Sequence, residues 1–292
     1  MKKVYISDSG PKVSEAIYGF WRWSDEGEVS VSKIEEITNL CLELGINTFD
    51  HADSYGNEQV EENFGKVIQN KSFKREDIVL FSKCGIRESV NGKFTYYDNS
   101  REFITNSVDN SLKKLKTDYL DIFLLSHFDL LADIEQTAMT LESLVHNGKV
   151  KHIGVANFTV FQHQLLASHL NIPIVTNHVE LNLMNLSAVE DGRIDFLKQQ
   201  YSKPLAWSPL AGGNILNGQD PKSLNIRAKL EKLGTKYDAN VEQMAVSWLI
   251  KLGTLPIIGS LSENRIRNAA TATSINIDKQ DWYEIYQLAL KS

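Results

Sequence analysis

The sequence predicts an α/β protein, a closed (β/α)8 TIM barrel, and two observations carry that expectation. Eight short apolar runs recur along the chain. They are rich in Ile, Val and Phe and lack strict polar alternation, as strands buried on both faces do. The segments between them carry apolar residues at helical spacing. Strands alternating with helices imply parallel pairing through right-handed crossovers, and eight such units imply closure rather than an open sheet.

The apolar runs are Ile17 to Trp21, Ile46 to Phe49, Ile78 to Phe81, Tyr119 to Leu125, His152 to Val155, Ile172 to Thr176, Pro204 to Trp207 and Pro256 to Ile258. Before them, residues 2 to 15 hold two short β-prone runs about a Ser9-Gly10-Pro11 turn, an N-terminal β-hairpin placed to plug the bottom of the barrel. In the first helical segment Val31, Ile34, Ile37, Cys41 and Leu44 recur, with Ser32 and Glu35 as a capping box and Gly45 as the stop. Ile104, Val108, Leu112 and Leu115 make one face between strands three and four. Asp133 and Gln136 cap a helix carrying Ile134, Ala138, Leu141 and Leu144 and ended by Gly148. Thr159 and Gln162 repeat that device after strand five. Residues 278 to 290 read as an extra C-terminal helix with Trp282, Ile285 and Ala289 on one face. No linker or low-complexity segment divides the chain, so one domain over residues 1–292 is expected.

Composition narrows the function classes. With 292 residues, 42% hydrophobic, the chain can bury one large core. The balance of 31 basic and 37 acidic residues, net −6, argues against a nucleic-acid or anionic-membrane surface. Cys41 and Cys84 show no CxxC spacing, so neither a disulfide framework nor a cysteine zinc site is expected. No signal-peptide core or membrane-length run occurs, which points to a cytoplasmic protein.

A barrel keeps its chemistry at the C-terminal ends of its strands. Those ends read Trp21, Asp50, Lys83, His127, Asn157, His178, Trp207 and Ser260, all polar or aromatic. Tyr55 follows Asp50 on the next loop. A phenol donates a proton to a developing oxyanion if a neighbouring cation stabilises the phenolate. Lys83 is that cation, expected to pull the Tyr55 pKa toward neutrality, with Asp50 holding the lysine charged and His127 donating a hydrogen bond to a carbonyl oxygen. This set suits carbonyl reduction by a cofactor's hydride. A metal site is the rival for Asp50, His51, Asp53, His127 and His178, but Asp50 and His51 point to opposite sides of an extended segment and no HExxH pattern occurs.

Neither GxGxxG after a strand nor GxxxxGK[ST] is present. Barrels instead bind phosphate after strands seven and eight, at a helix N-terminus. Here those strands lead into Ser208-Pro209-Leu210-Ala211-Gly212-Gly213 and into Gly259-Ser260-Leu261-Ser262-Glu263-Asn264-Arg265. Ser260 and Arg265 are the candidate phosphate ligands.

At this point the sequence resembles the aldo-keto reductase family. The resemblance lies in GINTFDHADSYGNEQVEENFG (45–65), KTDYLDIFLLSHFD (116–129), GKVKHIGVANF (148–158), PLAWSPLAGG and PIIGSLSENRIRNA, in that order. It implies NADP(H)-dependent reduction of a small-molecule aldehyde or ketone, with Asp50, Tyr55, Lys83 and His127 as the catalytic tetrad. It further implies Asn157 and His178 at the nicotinamide carboxamide, Trp207 stacked on the ring, Ser208 and Leu210 at the pyrophosphate, and Ser260 and Arg265 at the adenosine 2′-phosphate. Phe20, Trp21 and Arg22 match the turn near nicotinamide and substrate, with Trp21 facing the substrate. Gly259 stands where the family often has lysine, which weakens the preference for NADP(H) and leaves NAD(H) open. His178 replaces the usual glutamine, Ala156 a serine and Trp207 a tyrosine. A different class, a nucleotide-binding regulatory subunit of a membrane protein, would keep the cofactor site with little turnover; the complete tetrad favours the enzyme.

Overall fold

The computed structural model describes residues 1–24, 30–56, 59–70, 72–88 and 94–291. Asn57 and Glu58 of the first family-like segment and the terminal Ser292 lie outside the described residues. Strands β1 (Lys3–Tyr5) and β2 (Lys12–Ser14) form an antiparallel hairpin. β3 (Ile17–Gly19), α1 (Val31–Glu43), β4 (Thr48–Asp50), α2 (Gln59–Gln69) and β5 (Val79–Cys84) follow. An antiparallel ribbon of β6 (Ile86–Arg87) and β7 (Tyr96–Tyr97) then interrupts the alternation. It resumes with α3 (Arg101–Leu115), β8 (Leu120–Leu125), α4 (Ile134–His146), β9 (Val150–Ala156), α5 (Val160–Ala167) and β10 (Ile174–Glu180). After α6 (Ser187–Glu190) and α7 (Arg193–Gln199) come β11 (Leu205–Trp207), α8 (Asn214–Asn217), α9 (Pro221–Tyr237), α10 (Val241–Leu252) and β12 (Leu255–Ile258). α11 (Glu263–Ala272) and α12 (Lys279–Lys291) end the chain.

The eight expected apolar runs are the eight strands of a closed barrel, ordered β3-β4-β5-β8-β9-β10-β11-β12. Every neighbouring pair is parallel, and β12 closes onto β3 with Ile257 opposite Ile17. Two strands run further than the sequence suggests. Ladder pairing continues to Cys84 opposite Leu125, and to Glu180 opposite Trp207, so Lys83 and His178 lie within strands rather than beyond them.

Side chains on a strand alternate sides, and that parity sorts the core. Val79 and Phe81 of β5, with Ile122 and Leu124 of β8, fill the barrel interior. Leu80, Cys84, Phe123 and Leu125 face the helices, among Ile34, Ile37, Phe64, Ile104, Val108 and Leu141. Ile6 and Val13 of the N-terminal hairpin are fully buried against the interior cluster, so the hairpin does plug the end where the strands begin. α2 and α3 touch at Gly65, where any Cβ would run into the Lys114 carbonyl.

Helix ends follow local chemistry. Asp133 accepts from Gln136 N, and Thr159 with Gln162 forms a reciprocal capping box. The cap of α1 corrects the sequence expectation: Ser30, not Ser32, accepts from Lys33 N at 3.2 Å, while Glu35 accepts from Asn70 across to α2. Ser32 already lies inside the first turn. α12 buries Ile285 and Ala289, and its Trp282 stacks on Trp248 of α10 at 4.9 Å. Among the described residues, no helix is long and apolar enough to cross a membrane.

Candidate active site

The alternation that sorts the core also aims the site. Thr48 and Asp50 point inward from β4 while Phe49 faces the helices, and Lys83 shares the inward parity of Val79 and Phe81. The result is a cavity of roughly 260 Å³ at the C-terminal ends of the strands. Trp21, Asp50, Lys83, His127, Asn157, His178 and Trp207 line it, seven of the eight strand-end residues, and Tyr55 joins them from the β4–α2 loop. Ala52, Ser54, Ile86, Ser126 and Ala156 complete much of the wall.

Lys83 Nζ donates to both Asp50 oxygens, at 2.9 and 2.8 Å, and to the His51 carbonyl at 2.8 Å. Its ammonium also lies over the Tyr55 ring, 4.7 Å from the centroid. Burial works against the lysine's charge, but the Asp50 carboxylate and the Tyr55 oxygen outweigh it and raise its pKa. The Tyr55 phenol departs from the sequence expectation. Burial raises its pKa; Lys83 pulls it down but does not win, because burial is the larger effect and Asp50 adds to it. Tyr55 is therefore firmly protonated at neutral pH rather than tuned close to it.

A hydrogen-bonded chain links three other strand ends. Trp207 Nε1 donates to Asn157 Oδ1 at 3.1 Å, and Asn157 Nδ2 donates to the Ser126 carbonyl at 3.1 Å. Those two partners assign the amide orientation. Asn157 Nδ2 also lies 3.3 Å from His127 Nε2, which then accepts, so the proton of neutral His127 sits on Nδ1. Burial lowers the His127 pKa and keeps the ring neutral. In this arrangement Nε2 accepts from Asn157 and has no proton to donate. Asn157 adopts a left-handed backbone, φ 62°.

Tyr97, which sequence reasoning missed, stacks on His127 with ring centroids 4.4 Å apart and planes 1° from parallel. It sits on the β6–β7 ribbon, an insertion whose two-residue strands carry no readable periodicity. The only signal for it was the Tyr96-Tyr97 pair in a polar stretch.

His178 is buried, its Nε2 3.6 Å from Asp50 Oδ1 and otherwise unpartnered. Burial drives its pKa down to about 4, so it is neutral and makes no ion pair with Asp50. His51 faces the opposite way from Asp50, stacked on Phe20 at 4.2 Å with Phe64 at 4.6 Å. No group of three or more His, Cys, Asp or Glu able to hold a metal occurs among the described residues.

A second groove adjoins the cavity. Trp21, Arg22, Ser208, Leu210, Gly212, Gly213, Ser260 and Arg265 line it, so the strand-seven and strand-eight loops meet there. Ser208 Oγ accepts from Gly212 N at 3.0 Å, and Gly212 and Gly213 both have positive φ. Ser260 Oγ accepts from Ser262 N at the start of α11, whose N-cap residue makes no side-chain cap. Arg22 donates to the Gly212 carbonyl at 3.1 Å and lies over the Trp21 ring. Sequence reasoning also missed Glu242 here; it reads simply as an acid in the first turn of α10. Phe20 corrects the sequence expectation. Its side chain is fully buried among Tyr18, His51 and Phe64 and lines neither cavity, because it turns toward the helices where Trp21 turns to the barrel mouth.

The Aldo/keto reductase family model matches residues 15–289. The 6-dehydroglucose reductase of Agrobacterium fabrum (strain C58) is 33% identical over 297 residues, spanning 99% of this chain and 98% of its own. Oxidoreductase YdhF of Escherichia coli (strain K12) is 36% identical over 301 residues, 99% and 98% of the two chains. The crystal structure of a thermostable aldo-keto reductase, Tm1743, shares the fold with TM-score 0.86 at 23% identity, over 99% of this chain and 100% of that one.

Proposed function

The chain belongs to the aldo-keto reductase family, and from that premise we propose that it reduces aldehyde or ketone carbonyls to alcohols with NADPH, Tyr55 acting as the general acid. The observation that carries this reading is the convergence of Tyr55, Lys83, Asp50 and His127 on one cavity. NADPH supplies the hydride when bound; the chain orients the carbonyl and provides the proton.

The raised pKa of Tyr55 suits an acid that must hold its proton until negative charge develops on the carbonyl oxygen. Lys83, its ammonium against the Tyr55 ring, stabilises the phenolate left behind, and Asp50 keeps the lysine charged and aimed. General-acid help of this kind contributes on the order of a hundred- to ten-thousandfold. His127 aligns the carbonyl once its Nε2 is released from Asn157 and the ring takes its other tautomer.

The donor set fits a nicotinamide cofactor. Trp207 offers an aromatic face, and Asn157 and the unpartnered Nε2 of His178 offer polar atoms to the carboxamide. Ser208, Leu210 and the Gly212-Gly213 turn suit the pyrophosphate. Ser260, Arg265 and the uncapped start of α11 suit the 2′-phosphate. Trp21 stands at the substrate mouth.

The test is NADPH oxidation against a panel of simple aldehydes, ketones and sugar carbonyls. The Agrobacterium relative's name puts 6-dehydroglucose on that panel. Chelator-insensitive turnover of a carbonyl supports the reading. NADPH binding without turnover on any carbonyl contradicts it and favours a regulatory role.

A further inference from the structure

Gly259, where β12 ends, cannot carry a side chain as the fold stands. A Cβ there would lie 2.8 Å from Trp21 Nε1, 3.0 Å from its Cδ1 and 3.2 Å from the Gly19 carbonyl oxygen. The groove after strand eight therefore receives no cation from this position. Arg22 is engaged by the Gly212 carbonyl and the Trp21 ring. Arg265 is left as the cation facing the α11 end of the groove, among the described residues.

Arg265 is not free of a counter-charge. Glu242, only 8% exposed, reaches into the same groove from α10, its Oε1 4.0 Å from Arg265 Nε. Asn268 holds the other carboxylate oxygen, donating at 2.9 Å. Nicotinamide enzymes separate their two cofactors with these side-chain types: a carboxylate accepts from the ribose 2′-hydroxyl, and an arginine meets the 2′-phosphate. Here both stand side by side.

We infer that Glu242 is a cofactor-specificity residue, balancing Arg265 against the 2′-phosphate and accepting from the ribose hydroxyl, so that the protein uses NADH as well as NADPH. This rests on the reading of the groove as the adenosine site of a nicotinamide cofactor. A 2′-phosphate approaching Arg265 meets the repulsion of Glu242. A 2′-hydroxyl meets an acceptor already held in place by Asn268.

The test is direct titration of the full chain with NADPH and with NADH, read by quenching of tryptophan fluorescence, since Trp21 and Trp207 lie in the two cavities. For the unmodified protein the two Kd values are expected within about tenfold of each other. Glu242→Gln keeps an acceptor for Asn268 and removes the charge; it should tighten NADPH, weaken NADH and raise selectivity roughly tenfold. Glu242→Ala should move selectivity the same way, and Arg265→Ala the opposite way by loss of NADPH affinity. Selectivity unmoved in both Glu242 variants, while carbonyl turnover persists, overturns this inference alone. Failure of the unmodified protein to bind either nucleotide overturns the reductase reading and this inference with it.

Discussion

Lys83 Nζ lies between the two carboxylate oxygens of Asp50, 2.9 and 2.8 Å away, with both side chains buried. Removing one member of such a pair strands the other's charge away from water, at a cost of about 3–5 kcal/mol. Lys83→Met should therefore lower both turnover and urea-unfolding stability. A variant that unfolds at the wild-type urea midpoint would show that Asp50 does not depend on this lysine.

Tyr97 packs flat against His127, and its hydroxyl takes no part in that contact. Tyr97→Phe should therefore behave like the wild type. Tyr97→Ala frees the ring and should lower kcat about tenfold, a contact worth roughly 1.4 kcal/mol, with little change in the KM for NADPH. Equal losses in the Phe and Ala variants would mean that the hydroxyl, not the stack, matters.

Stability should fall with acid. Burial lowers the pKa of His178 and of His163 to about 4 and that of His51 well below its ordinary value. Unfolding restores values near 6.5, so below that pH the unfolded chain binds more protons than the folded one. The stabilisation is complete above about pH 6.5 and is lost as pH drops toward 4, by up to about 1.4 kcal/mol per pH unit for each histidine. Glu61, raised by burial, acts in the opposite sense. Thermal melts from pH 7.5 to 5 should show Tm declining; a flat profile would contradict the assignment.

Trp282 and Trp248 stack, and each indole N–H donates to the other's backbone carbonyl, at 2.9 and 3.2 Å. This clamp fastens α12 to α10. Trp282→Ala should cost about 2–4 kcal/mol, less than a fully buried tryptophan because the ring is partly exposed. An unchanged melting temperature would show that α12 is held by Ile285 and Ala289 alone.

Much of this protein is legible in its sequence because strands buried on both faces and amphipathic helices leave patterns of different period. Those patterns led to all eight barrel strands, and the strand ends led to Asp50, Lys83, His127, Asn157, His178 and Trp207, which share one cavity. What stayed hidden depends on contacts between distant segments. The Trp207–Asn157–His127 chain spans residues 30 to 50 positions apart and decides a tautomer. Phe20 and Trp21 differ only in which way the chain turns after β3. The Tyr55 pKa depends on how far burial outweighs the pull of Lys83, a balance that spacing does not express. Tyr97 and Glu242 sit in an insertion and a helix start that look ordinary until the barrel brings His127 and Arg265 against them.

The acid role of Tyr55 is the central claim, and Tyr55→Phe tests it most directly. The variant keeps the ring beside Lys83 and loses only the hydroxyl. NADPH titration paired with single-turnover carbonyl reduction should give a nearly unchanged Kd and a rate reduced at least about a hundredfold. Reduction at the wild-type rate with NADPH bound would contradict the account, because the proton would then come from another group.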